Sequence, residues 1–293
     1  MTFKMVFKRH EMKYLMDAEQ TRAVYEALEE HMELDRYGHS TIRNIYFDTD
    51  SFLLVRRSIE KPLYKEKLRF RCYGETASAG EVFVELKKKK DSVVYKRRLT
   101  MPLDKAMAWF GDGSEDFPHT QIGEEIDFFR SRYPGIHPAM LLTYEREAYM
   151  PKDGSDLRIT IDSNILARTD DVRLDSDLGG HSILPDGYML MEVKTMYGLP
   201  RWLLEVMNRN HLYKTSFSKY GSAYKEMVLG KMPECFAGIS NGMSLAVNCN
   251  LPRYGSGPRG TIETESEEPI AITIDNTRSS GIVNNGLIAL NHM

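Results

Sequence analysis

Leu63-Tyr64-Lys65-Glu66-Lys67-Leu68-Arg69-Phe70-Arg71-Cys72-Tyr73 decides the reading of this chain. Side chains two apart on a β-strand share a face. One face of this stretch therefore carries Lys65, Lys67, Arg69 and Arg71, and the other carries Tyr64, Glu66, Leu68, Phe70 and Cys72. The same split recurs along the chain. In Glu81–Lys89 the apolar Val82, Val84 and Leu86 oppose Glu81, Glu85, Lys87 and Lys89. In Met5–Met16 one face collects Arg9, Glu11 and Lys13. Glu192 and Lys194 oppose Met189, Met191 and Val193, while Arg158, Thr160 and Asp162 oppose Leu157, Ile159 and Ile161. For any one strand, a solvated polar side is the ordinary explanation. Across strands the pattern argues otherwise: the polar faces are mostly cationic with a few placed carboxylates, and a Glu-x-Lys step repeats at Glu11/Lys13, Glu85/Lys87 and Glu192/Lys194.

These strands belong to a predicted set of eight: Met5–Met16, Thr41–Phe47, Leu63–Tyr73, Glu81–Lys89, Ser92–Leu99, Leu141–Met150, Leu157–Ile161 and Tyr188–Thr195. They are rich in β-branched and aromatic residues and separated by turn sequences such as Lys152-Asp153-Gly154-Ser155. Helices are expected between them. Asp17 with Gln20 reads as a capping box ahead of Val24, Leu28 and Met32. Asp50 is expected to open a short helix over Phe52–Val55, Pro102 to begin one over Ala106–Phe110, and Thr120–Tyr133 to form an amphipathic helix. Pro200 opens another, and Ser218–Leu229 the last. The fold class is α+β, built on an antiparallel sheet or barrel with flanking helices. Beyond residue 231 the chain turns rich in Gly, Ser, Asn and Thr. Residues 233–293 read as a poorly ordered tail with one weak strand at Ile270–Ile274, and residues 1–232 as the folded domain.

Lys and Arg number 39 against 42 Asp and Glu, a formal net charge of -3, so a nucleic-acid-coating protein is disfavoured. Lys87-Lys88-Lys89-Lys90 would point alternately to opposite faces and makes no continuous basic patch. No apolar run approaches a spanning length, and Met1–Arg9 interrupts its apolar residues with charges, unlike a secretory signal. Cys72, Cys235 and Cys249 are scattered and give neither a disulfide framework nor a zinc knuckle, so a cytoplasmic location is expected. The histidines show no metal-binding spacing, and no P-loop or Rossmann glycine motif occurs. A cationic face inside an acidic protein suits a barrel with a charged interior. Such a lining is costly unless a polyanion compensates, and its natural occupant carries a polyphosphate, leaving carboxylates to hold a divalent cation.

With those residues in order, the chain resembles the CYTH-like triphosphate tunnel proteins, and among them the polyphosphate polymerase (VTC) domain. The resemblance rests on Arg9-His10-Glu11-Met12-Lys13-Tyr14, Asn44-Ile45-Tyr46-Phe47-Asp48-Thr49, Lys65–Arg71 and Val84-Glu85-Leu86-Lys87. It continues through Val94-Tyr95-Lys96-Arg97-Arg98, Tyr144-Glu145-Arg146, Leu157-Arg158-Ile159-Thr160, Glu192-Val193-Lys194 and Ser216-Phe217-Ser218-Lys219-Tyr220. It implies an eight-stranded antiparallel tunnel that binds ATP phosphates with Mn²⁺ or Mg²⁺ and extends inorganic polyphosphate by γ-phosphoryl transfer.

Residue by residue, the resemblance makes Arg69, Arg71, Lys87, Arg146, Arg158 and Lys194 catalytic phosphate ligands. Lys13, Lys96, Ser218 and Lys219 would bind substrate. Glu192 would be the main metal carboxylate, with Glu85 or Glu11 assisting. Two departures stand out. The triphosphatase and adenylate cyclase branches open with Glu-x-Glu-x-Lys, where this chain has Arg9-His10-Glu11-Met12-Lys13, which favours the polymerase branch. The family's basic residue two before the serine is Ser216 here, with Lys214 nearby as a substitute. A metal-dependent triphosphate or nucleoside-triphosphate hydrolase, and a non-catalytic polyphosphate sensor, stay as alternatives. No transmembrane segment is expected.

Overall fold

The alternation seen in sequence becomes two physically different faces of one curved sheet. In the computed structural model, residues 10–74, 80–91, 93–113 and 115–230 are described. Arg9, Cys235, Cys249, the expected boundary at residue 232 and the expected tail with its Ile270–Ile274 strand lie outside them. The strands are β1 (His10–Met16), β2 (Met32–Asp48), β3 (Tyr64–Tyr73), β4 (Glu81–Lys90), β5 (Val93–Pro102), β6 (His137–Pro151), β7 (Arg158–Arg168), β8 (His181–Ser182) and β9 (Met189–Thr195). All pairings are antiparallel, in the order β1-β9-β7-β6-β2-β3-β4-β5, with β8 on the edge of β7.

The helices are α1 (Ala18–His31), α2 (Leu53–Ile59), α3 (Leu103–Phe110), α4 (Gln121–Arg132), α5 (Arg201–Arg209) and α6 (Lys219–Ala223), the last continuing into one π-helical turn, Tyr224–Val228. The Asp17–Gln20 capping box forms as expected, each side chain bonding the other's backbone N–H. The cap expected from Asp50 does not form. Phe52 occupies the N-cap position of α2 at φ 53, and the orphan N–H groups of Leu54 and Val55 are taken by the Asp48 carboxylate at 2.8 and 3.0 Å. Asp48 is fully buried and also accepts from the Tyr220 hydroxyl at 2.9 Å, so it ties the entry of α2 to α6.

Outward-facing residues of β2–β5 (Phe47, Leu68, Phe70, Val82, Val84, Leu86) pack under α3 and α4 through Trp109, Phe110, Ile126 and Phe129. Those of β1, β7 and β9 (Tyr14, Ile159, Ile161, Met191, Val193) pack under α1 and α5 through Val24, Leu28, Leu203 and Met207. One buried carboxylate interrupts this apolar side: Glu66 accepts from Tyr64 at 2.7 Å and Tyr133 at 2.6 Å. A third cluster joins inward residues Ile42, Tyr46, Leu142, Tyr144 and Leu190 to Tyr220, Ala223 and Tyr224, filling part of the interior with rings and aliphatics.

The sheet departs from expectation in several places: β7 runs on to Arg168 instead of ending at Ile161, and the short β8 was not expected. β2 begins at Met32 rather than Thr41, because its first half is a polar, irregular strand with Gly38 at φ 51 and a register shift between Leu34 and His39. The barrel is also not closed by a continuous ladder among the described residues, since β1 and β5 do not pair. The free edge of β1 is instead met by residues 214–215, through a Tyr14–Lys214 bridge and a Thr215 N–H bonded to the Lys13 carbonyl at 2.7 Å.

Candidate active site: a cationic tunnel

The inward face of the sheet encloses a cavity of ≈ 240 Å³ lined from seven strands and the start of α6. Its charged wall holds nine Lys or Arg side chains (Lys13, Lys67, Arg69, Arg71, Lys87, Lys96, Arg146, Lys194, Lys219) against three carboxylates (Glu11, Glu85, Glu192). Tyr46, Tyr144, Val94 and Ser218 complete it. A second cavity of ≈ 460 Å³ shares Glu11, Lys13, Lys67, Lys87, Val94 and Ser218 with the first and adds Lys65 and Lys89, so the basic lining continues outward.

Each carboxylate is a node that holds cations apart. On β4, both oxygens of Glu85 are saturated. One receives Arg69 Nε at 2.8 Å and Nη2 at 2.7 Å; the other receives Lys96 at 2.6 Å and Arg98 Nη2 at 2.5 Å. Burial would raise this carboxyl, but Arg69, Lys96, Arg71 and Arg98 together hold it far below the ordinary carboxylate range. On β9, Glu192 is held more loosely. Lys219 donates at 3.1 Å, Lys13 stands at 3.3 Å, Arg146 at 3.6 Å and Lys194 at 3.8 Å. It too is pulled well down against burial, by Lys219, Lys13 and Arg146. Glu11 lies 3.7 Å from Lys13, and that charge lowers it against burial and the neighbouring Glu192.

Behind Glu192 sits Asp162, fully buried on β7. It accepts two bonds from Arg146, at 2.6 and 2.7 Å, and pairs with Lys219 at 2.5 Å. Burial would push the Lys219 ammonium down; Asp162 and Glu192 reverse this and raise it. Lys219 stands where it does because Ser218 caps α6, accepting from the Gly221 N–H at 3.3 Å.

The remaining cations are steered by neutral groups. Arg71 donates to Asn44 at 2.9 Å and to the Tyr144 hydroxyl at 3.0 Å, and Asn44 is itself fixed to the Leu142 carbonyl at 3.2 Å. Arg69 donates to the Tyr46 hydroxyl at 3.2 Å. Burial alone would raise the Tyr46 phenol, but Arg69, Lys67 and Arg71 outweigh it and bring it down to about 7. Burial and neighbouring cations lower Lys67 to about 8. Burial, offset in part by Glu85, does the same for Lys96.

Twelve of the thirteen residues singled out from the sequence line this cavity. Arg158 does not. It is exposed near the end of β7, its Nη1 donating to the Leu157 carbonyl at 3.1 Å, although its register partner Lys194 is in the lining. Lys214 is exposed and lines neither cavity, while Ser216 lines the outer one. Lys67, Tyr46, Tyr144 and Asp162 were not assigned from sequence. The parity of β3 and β7 already placed Lys67 and Asp162 inward; the two tyrosines stand in stretches that carry the resemblance, which gave them no role.

A match to the family model of the VTC domain spans residues 8–228, three quarters of the chain and every lining residue above. The chain belongs to the VTC domain family. No curated protein matches it. Among solved structures, this VTC domain is similar to a putative adenylate cyclase from Bacillus halodurans, at 16% identity and a TM-score of 0.44, with 71% of this chain and 92% of that one covered. It is also similar to a putative adenylyl cyclase from Hippeastrum described as having a dominant triphosphatase activity, at 13% identity and a TM-score of 0.46, covering 78% and 99%.

A divalent cation can be tested against the side chains of the VTC domain. Among the described residues, no three His, Cys, Asp or Glu side chains gather in a way that could hold a metal ion. Glu85 does not fit a ligand role, because both its oxygens are saturated by short cationic contacts. Glu192 and Glu11 do fit. They flank Lys13 and face the cavity, and Mg²⁺-like cations take one or two carboxylates and complete their shell with substrate phosphate oxygens and water.

Proposed function

We propose that the tunnel binds the triphosphate of ATP and transfers its γ-phosphoryl group to a growing inorganic polyphosphate chain. The observation that carries this reading is the nine-to-three excess of cations over carboxylates in a cavity of a few hundred Å³, every carboxylate already engaged with Lys or Arg. Such a wall lowers its own repulsion by taking in a polyanion.

Phosphoryl transfer needs in-line positioning and charge neutralisation rather than a protein nucleophile. Arg69, Arg71 and Arg146 grip phosphate oxygens through guanidinium N–H groups left free of Glu85, Asn44 and Asp162. Lys13, Lys67, Lys87, Lys96, Lys194 and Lys219 supply point charge. A terminal oxygen of orthophosphate or of the polymer attacks the γ-phosphorus, the bond from that phosphorus to the β–γ bridging oxygen breaks, and ADP leaves. Mg²⁺ or Mn²⁺, held by Glu192 with Glu11, would neutralise charge on the phosphate oxygens when bound. Glu85 sets the positions of Arg69, Lys96 and Arg98. Ser218 contributes a hydroxyl at the α6 end, and Arg158 reaches substrate only beyond the tunnel lining. The catalytic unit is placed at residues 1–232, and removing residues after 235 leaves activity intact.

Arg71→Ala and Glu192→Ala test this directly. Both variants should keep the wild-type circular dichroism and lose ATP turnover. Full activity in either would overturn the assignment.

A further inference from the structure

Two neighbouring loop tips combine exposed aliphatic side chains with four lysines that make no salt bridge among the described residues, against two exposed carboxylates, Glu60 and Asp91. Residues 60–63 lead from α2 into β3, and Asp91 follows the end of β4. The Asp91 N–H bonds the Leu63 carbonyl at 2.6 Å, so the tips are locked together. Each also carries a residue at positive φ, Lys61 at 54° and Asp91 at 53°, which fixes tight turns at a conformational cost. Leu63 is 78% exposed, Val93 48% and Val94 45%. Lys61 and Lys90 are exposed beside them, and Lys65 and Lys89 sit just behind, lining the outer cavity. None of these four lysines makes a salt bridge among the described residues, whereas Lys88, on the opposite face of β4, pairs with Glu125 at 3.9 Å.

We infer that this tip docks on an anionic lipid bilayer, with Leu63 and Val93 entering the interface and Lys61 and Lys90 contacting lipid phosphates. Exposed aliphatics ringed by lysines supply the two terms that drive peripheral membrane binding, apolar burial and attraction to anionic headgroups. A protein partner is a poorer fit: stable interfaces use roughly 20–30 residues a side and favour aromatic and arginine anchors, whereas this small tip offers Tyr64 alone, its hydroxyl already given to Glu66. Lysines suit the bilayer, since their stems lie along apolar surface while the charge stays at the headgroups. Docking would hold the outer cavity, through Lys65 and Lys89, next to the membrane surface. The inference stands apart from the phosphoryl-transfer reading, and none of the four residues tested below lines either cavity.

The full chain is sedimented with phosphatidylcholine vesicles with and without phosphatidylglycerol, at low and high salt. The chain should pellet with the anionic vesicles only, and release with salt. Leu63→Glu/Val93→Glu should weaken partitioning by roughly tenfold or more, and Lys61→Gln or Lys90→Gln by about fivefold each. Unchanged thermal unfolding and ATP turnover would show that the variants stay folded. Three results would overturn the inference: no pelleting of wild type, equal pelleting with neutral vesicles, or undiminished binding by Leu63→Glu/Val93→Glu. A concentration-dependent dimer in light scattering, abolished by Leu63→Glu/Val93→Glu, would instead assign the tip to a second copy of the chain.

Discussion

Glu85 and Glu192 are two carboxylates on different walls of one tunnel, each surrounded by cations, and they are held very differently. Glu85 has both oxygens filled at 2.5–2.8 Å by arginine and lysine donors. Glu192 has one hydrogen bond, at 3.1 Å, and three looser contacts out to 3.8 Å. Two of its cations, Arg146 and Lys219, are anchored more tightly to Asp162 than to Glu192. One carboxylate is thus a fixed counter-charge. On the proposed reading, the other would exchange its partners for a metal without setting Arg146 and Lys219 adrift. The type of charge is the same in both nodes; the presence of a buried second carboxylate makes the difference.

The largest expected effect breaks the first node. Glu85→Gln leaves Arg69, Lys96 and Arg98 uncompensated, and should cost about 2–4 kcal/mol of stability, less than a fully buried pair because Lys96 and Arg98 are partly exposed. Urea unfolding measures this, and inorganic tripolyphosphate should restore much of the loss. A cost below about 0.5 kcal/mol would mean that the cage is merely a surface pair.

Breaking the second node should act on chemistry instead. Glu192→Gln is expected to lower ATP turnover about a hundredfold or more while changing the unfolding midpoint little. The reverse pattern, a destabilised but active variant, would erase the distinction between the two carboxylates.

Lys67 and Lys96, both lowered to about 8 from 10.5, give a pH signature. Between about pH 8 and 10.5 the folded free protein has shed protons that the unfolded chain still binds, so these groups make the empty tunnel gain stability as pH rises. Below 8 both are charged in either state and the cost of crowding them is fully present. Bound triphosphate favours the charged forms, so its affinity should fall above about pH 8. Titration calorimetry across that range checks the sign, and an affinity that rises with pH would contradict it. The smallest effect is expected at Arg158. Exposed and outside the lining, Arg158→Ala should change the apparent KM for ATP by less than about threefold, near what an exposed charge contributes.

Much of this was readable from alternation alone. The Lys65–Arg71 parity set the inner and outer faces of β3, and Asp17 with Gln20 marked the start of α1, because both rest on local geometry. Parity also put Arg158 on the inner face, but it cannot say where along a strand the enclosed part ends; that depends on how the sheet curls. Tyr46 escaped notice for a related reason. Its environment comes from Arg69 and Lys67 on β3 and from Tyr220, stacked at 4.5 Å from more than 170 residues away. The first half of β2 was missed because its polar, Gly-containing sequence lacks strand propensity, and it is held in place by pairing with β6.

The most direct test is to incubate the purified chain with ATP and Mn²⁺ or Mg²⁺, resolve products on a polyphosphate-stained gel, and quantify ADP and orthophosphate alongside. ADP rising with a ladder of polyphosphate and little orthophosphate is the predicted result. Orthophosphate or pyrophosphate without a ladder would contradict transfer and make the tunnel a hydrolase; untouched ATP that still protects the fold against heat would make it a receptor.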